Sequence, residues 1–287
     1  MSVEIILERF RTEAPKTAQQ EQNLLREILQ EIALSALARA GFFKRGAFCG
    51  GTCLRILHGV RRFSEDLDFI LKDVRADFEW SRFEGVLVDE FGLYGIELEI
   101  LDRTSQAAIQ ALWLKDQSLG KILDLKHPLR PGQKIAVKLE VDCNPPAGST
   151  FETGYVNFPV PFSLLAQDLE SGFASKLHAL LCRDYVKGRD WYDLTWYLER
   201  RIRPRLILLE NAIDQQGPWA TQRKKVDFAW LLAELRNKTD AVDFQQARKD
   251  VERFLDEPEL RGLQVWSRDF FRAQIKKIEE FLGVDGM

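Results

Sequence analysis

From about Thr17 to Ala40 the apolar residues Leu24, Leu25, Ile28, Leu29, Ile32 and Leu37 recur at intervals of three and four, which predicts an amphipathic helix with its stripe turned to the core. The pattern then shortens. "GAFCGG" reads as a short buried strand ending in glycines, and "TCLRILHG" as a helix opened by Thr52 as N-cap and closed near Gly59. "DLDFIL" returns as a strand. An amphipathic stretch around Phe78 to Phe91, the alternating strand "IELEIL" (96–101), a polar loop region and a second alternating strand, "KIAVKLEVDC" (134–143), follow. Side chains alternate along a strand, so Lys138, Glu140 and Asp142 share one face.

"NPPAGST" interrupts this regularity and places a domain boundary near residue 150, giving a head over 1–150 and a second domain over 151–287. The second domain reads as helical: Leu164 to about Tyr185, Asp190 to Glu199, Leu206 to Ile213, Val226 to Leu235, Val242 to Leu255 and Ser267 to Leu282. Strands with interspersed helices followed by helices alone predict an α/β or α+β head with a helical tail.

With 287 residues, 45% of them hydrophobic, the chain can bury one large core or two smaller ones. No apolar run approaches the roughly 18 residues of a membrane span, and "MSVEIILERFRTEAP" lacks the basic start and apolar stretch of a signal peptide. The cytoplasm is therefore the expected compartment. Cys49, Cys53, Cys143 and Cys182 form no C-x-x-C pair and only three histidines accompany them, which argues against zinc and for reduced thiols. A net charge of −3 argues against nucleic-acid affinity of the whole surface, yet leaves room for a local basic groove from Arg61, Arg62 and "RRIRPR" beginning at Arg200, with a solvated face as the simpler reading of the same residues.

Chemistry enters with "FCGGTCLRILHGVRRFSEDLDFIL". Asp66 and Asp68 lie on one face at the start of a strand, about 6–7 Å apart along the backbone, close enough to share cations. Their oxygens suit Mg²⁺, and a pair of such ions can stabilise both the attacking and the leaving oxygen of a displacement. Gly50 and Gly51 allow a tight turn and close approach of phosphate, and a helix starting at Thr52 would aim its free amides at that anion. A third carboxylate would complete the site. Glu140 is preferred over Asp142, which lies nearer the strand end.

Further on, "LESGFASKLHALLCRDYVKGRDWYDLTWYL" places Lys176 and Arg183 seven apart on a common helix face, over a stripe of Ala174, Leu177, Leu180 and Leu181. The pair suits triphosphate, Lys as a point charge and Arg as a fork. Asp190 and Asp193 would orient those cations or an acceptor hydroxyl. His58 and His178 read as ordinary packed or surface residues, and Trp191, Tyr192, Trp196 and Tyr197 as core.

Taken together, Gly50-Gly51-Thr52, Leu54-Arg55, Arg62-Phe-Ser64-Glu-Asp66-Leu-Asp68-Phe, the strand "VKLEVD" and the Lys176, Arg183, Arg189-Asp190 and Tyr192-Asp193-Leu194 set resemble the nucleotidyltransferase signature of the AbiEii toxin family, to which the MenT-like toxins are related. The likeness covers much of residues 45–200. Where the wider nucleotidyltransferase pattern has Gly-Ser, this chain has Gly-Gly-Thr, as is normal for the toxins. The resemblance implies an α+β fold, a nucleotidyltransferase-like mixed-sheet head followed by a helical domain. It implies an enzyme that takes an NTP with Mg²⁺, or Mn²⁺ in its place, and transfers NMP to an RNA acceptor such as the tRNA 3′ end. On that reading Asp66 and Asp68 hold metal. Glu140, Lys176 and Asp193 join them in catalysis, and Gly50, Gly51, Thr52, Arg55, Ser64, Lys138, Arg183 and Asp190 bind nucleotide. A cognate antitoxin is the implied partner, and phosphorylation of Ser64, two residues before Asp66, would place an anion where triphosphate or metal should lie. Two other classes compete: transfer to a small molecule or protein side chain, and a non-catalytic nucleotide- or partner-binding module.

Overall fold

A short helix, α1 (Glu4–Glu13), precedes the long helix predicted from apolar spacing, α2 (Ala18–Arg39). This computed structural model describes residues 3–74, 77–102, 108–116, 118–123 and 125–283. The Thr17 side chain accepts a hydrogen bond from the Gln20 amide at 3.2 Å, which satisfies one of the unpaired amides of the α2 start. The helix is more than amphipathic. Its residues from Asn23 to Leu37 are buried on almost every side, because each inward polar group finds a partner. Glu21 accepts from the amides of Lys126 and His127, both at 2.9 Å, and Ser35 donates to Glu90 at 3.0 Å.

The chain divides into two compact units. The first takes Met1–Gly59, Phe63–Pro145 and Phe151–Ala166, and the second Val60–Arg62, Pro146–Thr150 and Gln167–Met287. The first unit carries β1 (Gly46–Cys49), α3 (Gly50–His58), β2 (Leu67–Leu71), α4 (Ser81–Gly92), β3 (Leu98–Asp102), β4 (Ile109–Asp116), α5 (Leu119–Ile122), β5 (Ile135–Asp142), β6 (Phe151–Val156) and most of β7 (Phe162–Gln167). The strands form one mixed sheet in the order β3-β4-β5-β2-β1-β7-β6. β2 runs parallel to β5 and antiparallel to β1, and β1 meets β7 in parallel. Residues 151–166 thus stay with the sheet unit, and the division lies beyond the break at "NPPAGST".

Three strands depart from the pattern-based expectation. β4 lies in the predicted loop region, β6 is an edge strand, and β7 occupies the start of what reads as one helix from Leu164. The sheet core is built from Leu67, Phe69 and Leu71 on β2 and from Ile135, Val137, Leu139 and Val141 on β5. Those alternate positions leave Asp68, Lys138, Glu140 and Asp142 on the half-exposed face.

The second unit is helical: α6 (Leu169–Cys182), α7 (Gly188–Glu199), α8 (Leu206–Gln215), α9 (Phe228–Ala241), α10 (Phe244–Glu252), α11 (Glu257–Gly262) and α12 (Arg268–Gly283). Asp168 caps α6 by accepting from the Ser171 amide at 2.9 Å. Trp191 packs edge-on against Phe244 and Phe271, and Tyr197 stacks on Phe173 at 4.4 Å. The α7 aromatics Trp191, Trp196 and Tyr197 are therefore core as expected, whereas Tyr192 is half-buried and donates its hydroxyl to Glu259 at 2.6 Å.

Candidate active site

In the sheet unit the chain passes from β1 into α3 without a loop. Gly50 has φ +77, in the left-handed region, and this single residue turns the strand into the helix. Thr52 is consequently not the N-cap. It is 0% exposed, inside the first turn of α3, and its hydroxyl donates to the carbonyl of Asp66. That bond fastens the α3 start to the residue before β2 and takes the Thr52 hydroxyl away from any ligand; Gly51 lies buried beside it.

Gly50 also has a steric reason to be glycine. A Cβ built there would strike the Asp68 carboxylate, lying 2.9 Å from its Cβ and Cγ and closer still to Oδ2. The turn thus rests directly on the side chain it serves. Strand register supplies the rest of the row: Cys49 on β1 lies opposite Asp68, and Asp68 lies beside Glu140 on β5. Neighbouring strands are about 4.8 Å apart. Asp142 falls one rung further, beside Ile70, where burial pushes its carboxyl up and the Asn144 amide partly offsets this. The register therefore favours Glu140 over Asp142 as the acid next to Asp68. Lys138 holds Glu140 by an ion pair at 2.5 Å and stands over the Trp113 ring. Asp66 precedes β2 by one residue, and the Ser64 carbonyl accepts from Gln30 of α2 at 3.1 Å.

Arg55 points elsewhere. Its Nε binds Glu27 at 2.8 Å and its guanidinium stacks on Phe63 at 4.3 Å, so it braces α3 against α2. Glu27 is shared with Arg9 of α1 at 3.1 Å.

The site residues predicted on the helical motif form a cluster within the second unit. Asp193 is 0% exposed and takes two bonds from Arg62, at 2.5 and 2.6 Å, and one from Lys176 at 2.8 Å. Burial alone would raise the Asp193 carboxyl, but the Arg62 and Lys176 charges outweigh it and hold the group below its ordinary value. Asp190 pairs with Arg183 and lies 3.8 Å from Lys176. Arg62, at 1% exposure, is neither the solvated nor the RNA-contacting side chain that the sequence suggests: it is a buried ion-pair partner. The basic run near Arg200 is likewise engaged, with Arg200 over Trp196 at 4.1 Å and Arg205 bonded to Asp168 and Glu170. Arg62 was missed as a site residue because sequence gives no sign of a partner 131 positions away.

Among the described residues no group of three His, Cys, Asp or Glu side chains is placed to hold a metal ion. The register-paired Asp68 and Glu140 nevertheless offer oxygen donors of the kind a hard divalent ion takes. Mg²⁺ in particular takes one or two carboxylates and completes its shell with water and substrate phosphate rather than a protein cage.

The mixed sheet, with a glycine turn leading into a helix, an Asp-x-Asp at the start of the neighbouring strand and a third acid beside it, belongs to a fold that two solved structures share. A Helicobacter pylori protein described as a candidate nucleotidyltransferase aligns over 93% of this chain and 99% of its own, at 17% identity and a TM-score of 0.54. JHP933 of Helicobacter pylori aligns over 92% and 97%, at 18% identity and a TM-score of 0.52. MenT4, a nucleotidyltransferase toxin from Mycobacterium tuberculosis, aligns over 97% and 99%, at 17% identity and a TM-score of 0.46. No curated protein sequence matches the chain. The family described as "Nucleotidyl transferase AbiEii toxin, Type IV TA system" matches residues 32–273. The chain belongs to that family, and it is a nucleotidyltransferase.

Two substitutions separate the steric role of Gly50 from its backbone role. Gly59 shares the left-handed conformation, with φ +70, but a Cβ there meets nothing within 4 Å. Gly59→Ala should lose roughly 1–2 kcal/mol in urea denaturation, the cost of the left-handed backbone, and Gly50→Ala more than that because its Cβ also displaces Asp68. Only Gly50→Ala should also lose nucleotidyl transfer, and equal activities would contradict the contact with Asp68.

For the helical cluster, Asp193→Asn leaves Arg62 buried without a counter-charge and should cost about 3–5 kcal/mol at pH 7. Because the folded Asp193 titrates below its ordinary 3.8, its contribution is present above that value and is lost as pH falls through the lowered one. The gap between wild type and Asp193→Asn should therefore close below about pH 4; a gap constant to pH 3 would contradict the ion pair.

Proposed function

We propose that this enzyme transfers a nucleoside monophosphate from an NTP to an RNA acceptor, the tRNA 3′ end, and releases pyrophosphate, acting as the toxin of a bacterial toxin–antitoxin pair. The observation that carries the chemistry is the row formed by Asp68 and Glu140, with Gly50 lying against the Asp68 carboxylate. The choice of toxin and antitoxin follows from the family, whose description names a type IV system. The RNA acceptor rests on the resemblance of the motifs, since the basic side chains that sequence offered as a groove are largely engaged in ion pairs and ring contacts.

In this reading Asp66 and Asp68 hold the divalent ion, with Glu140 beside them. When bound, the ion would neutralise charge on the phosphates and polarise the α-phosphate for in-line attack by the acceptor hydroxyl. The protein's own part is positioning. Gly50 brings the start of α3 against Asp68, and the amides of that helix start offer partners for phosphate oxygens. The ion pair with Lys138 fixes the Glu140 carboxylate, which would hold the ion or take the acceptor's proton. The Thr52 bond to the Asp66 carbonyl keeps the turn and the acid pair in register.

The test is incubation of the protein with Mg²⁺, total tRNA and each α-labelled NTP in turn, followed by separation of RNA, protein and small molecules. Label in tRNA that falls at least 10²-fold in Asp66→Ala and Asp68→Ala is expected, the usual scale for losing a charge-stabilising group. Label that appears only in protein or in a small molecule would move the acceptor to that class and overturn the RNA reading.

A further inference from the structure

The helical unit carries a partly open cavity of about 140 Å³ between the end of α6, the connection Arg183–Lys187, the start of α7 and the end of α9. Clefts that hold whole drug-sized ligands run to roughly 300–1,000 Å³, so this one takes a single functional group. Its lining is rich in cations: Arg183, Lys187 and Lys238 stand against Asp184 and Asp190.

Four of these five groups are already engaged or solvated. Asp190 is committed to Arg183 and Lys176. Lys238 donates to the carbonyls of Arg183 at 2.5 Å and Leu181 at 3.4 Å, satisfying the end of α6. Asp184 is exposed. Lys187 is different: it lies half-buried on the cavity wall, its carbonyl accepts from the Asp190 amide at 3.1 Å, and among the described residues its ammonium makes no hydrogen bond or ion pair. Burial first, then the charges of Arg183, Arg189 and Lys176, bring its ammonium down to about 8, with Asp190 pulling the other way. It is still mostly charged at neutral pH. A half-enclosed cation crowded by like charges lacks a counter-ion, and the space in front of it is the size of one anionic group.

We propose that this cavity binds a phosphate group, with Lys187 as the residue that holds it. A Lys ammonium is a compact point charge able to give three hydrogen bonds to phosphate oxygens. Arg183, held by Asp190, adds field without moving. The choice of phosphate among anions rests on the nucleotidyl-transfer reading, whose substrate and product both carry it. The cationic cavity itself does not depend on that reading.

The phosphate could belong to the nucleotide and its pyrophosphate product or to an RNA backbone, and calorimetric titration distinguishes them. The full chain carrying Asp66→Ala and Asp68→Ala is titrated with pyrophosphate, with a short single-stranded oligoribonucleotide and with acetate, so that the acids of the sheet unit do not contribute. Binding of pyrophosphate or of the oligoribonucleotide should weaken about tenfold or more with Lys187→Gln, return with Lys187→Arg, and be unchanged by Lys249→Gln on the exposed side of α10. Pyrophosphate binding assigns the site to the nucleotide, and RNA binding alone assigns it to the acceptor. Binding that ignores Lys187→Gln, acetate held as tightly as phosphate, or no binding of either phosphate ligand overturns the proposal. The transfer assay is read separately: labelled acceptor with Lys187-independent phosphate binding sinks the cavity alone, and Lys187-dependent binding without transfer sinks the reaction alone.

Discussion

The sheet unit depends on a contact that only a residue without a side chain permits, the approach of the Gly50 backbone to the Asp68 carboxylate. At φ +77 the same residue turns β1 into α3 within one step, so the helix start and the acid are placed by a single constraint. Everything around it reinforces that placement. Thr52 ties the first turn of α3 to the Asp66 carbonyl, Gln30 of α2 holds the Ser64 carbonyl, and Arg55 braces α3 through Glu27. None of these side chains needs to touch a substrate. They fix the backbone from which Asp66 and Asp68 project, which is how a site working by positioning and charge is built.

The helical unit solves a different problem. It buries an ionised Asp193 completely, which is tolerable only because Arg62 gives it two bonds and Lys176 a third. Removing any one partner leaves another charge exposed to a poor solvent, so the three behave as a unit. Next to them Asp190 neutralises Arg183, whereas the Lys187 ammonium has no ion-pair partner among the described residues. Arg62 therefore belongs to the core of this unit rather than to a basic surface, and Lys176 and Arg183 act first on neighbouring carboxylates.

Much of this was legible in the chain. Gly50, Asp66 and Asp68 stood out because their types and spacing match a cation-and-phosphate chemistry; the period-two pattern of "KIAVKLEVDC" put Glu140 on one face with Lys138 and Asp142, and strand pairing then set it beside Asp68. What was not legible has physical causes. Thr52 looked like a cap because Ser and Thr favour that place, but the left-handed turn at Gly50 starts the helix there, with Cys49 as the cap. β4 is apolar on both faces, which blurs its alternation, and the helical reading from Leu164 ran β7 and α6 together across Gln167, Asp168, Glu170 and Ser171, although Asp168 is a cap residue that marks the helix start. β6 carries a glycine and several polar residues and lies at the sheet edge, where the core imposes little pattern. Buried charge is the hardest feature to foresee. Arg62 and Asp193 look like surface residues until the fold brings them together.

The central claim is that Asp68, seated on Gly50 and flanked by Glu140, holds the divalent ion on which transfer depends. Electron paramagnetic resonance of Mn²⁺ with a non-hydrolysable NTP analogue tests this directly, comparing wild type with Asp68→Asn and Glu140→Gln. The account predicts a nucleotide-dependent bound signal in the wild type that vanishes in Asp68→Asn and weakens in Glu140→Gln. An equal bound signal in all three proteins would contradict it.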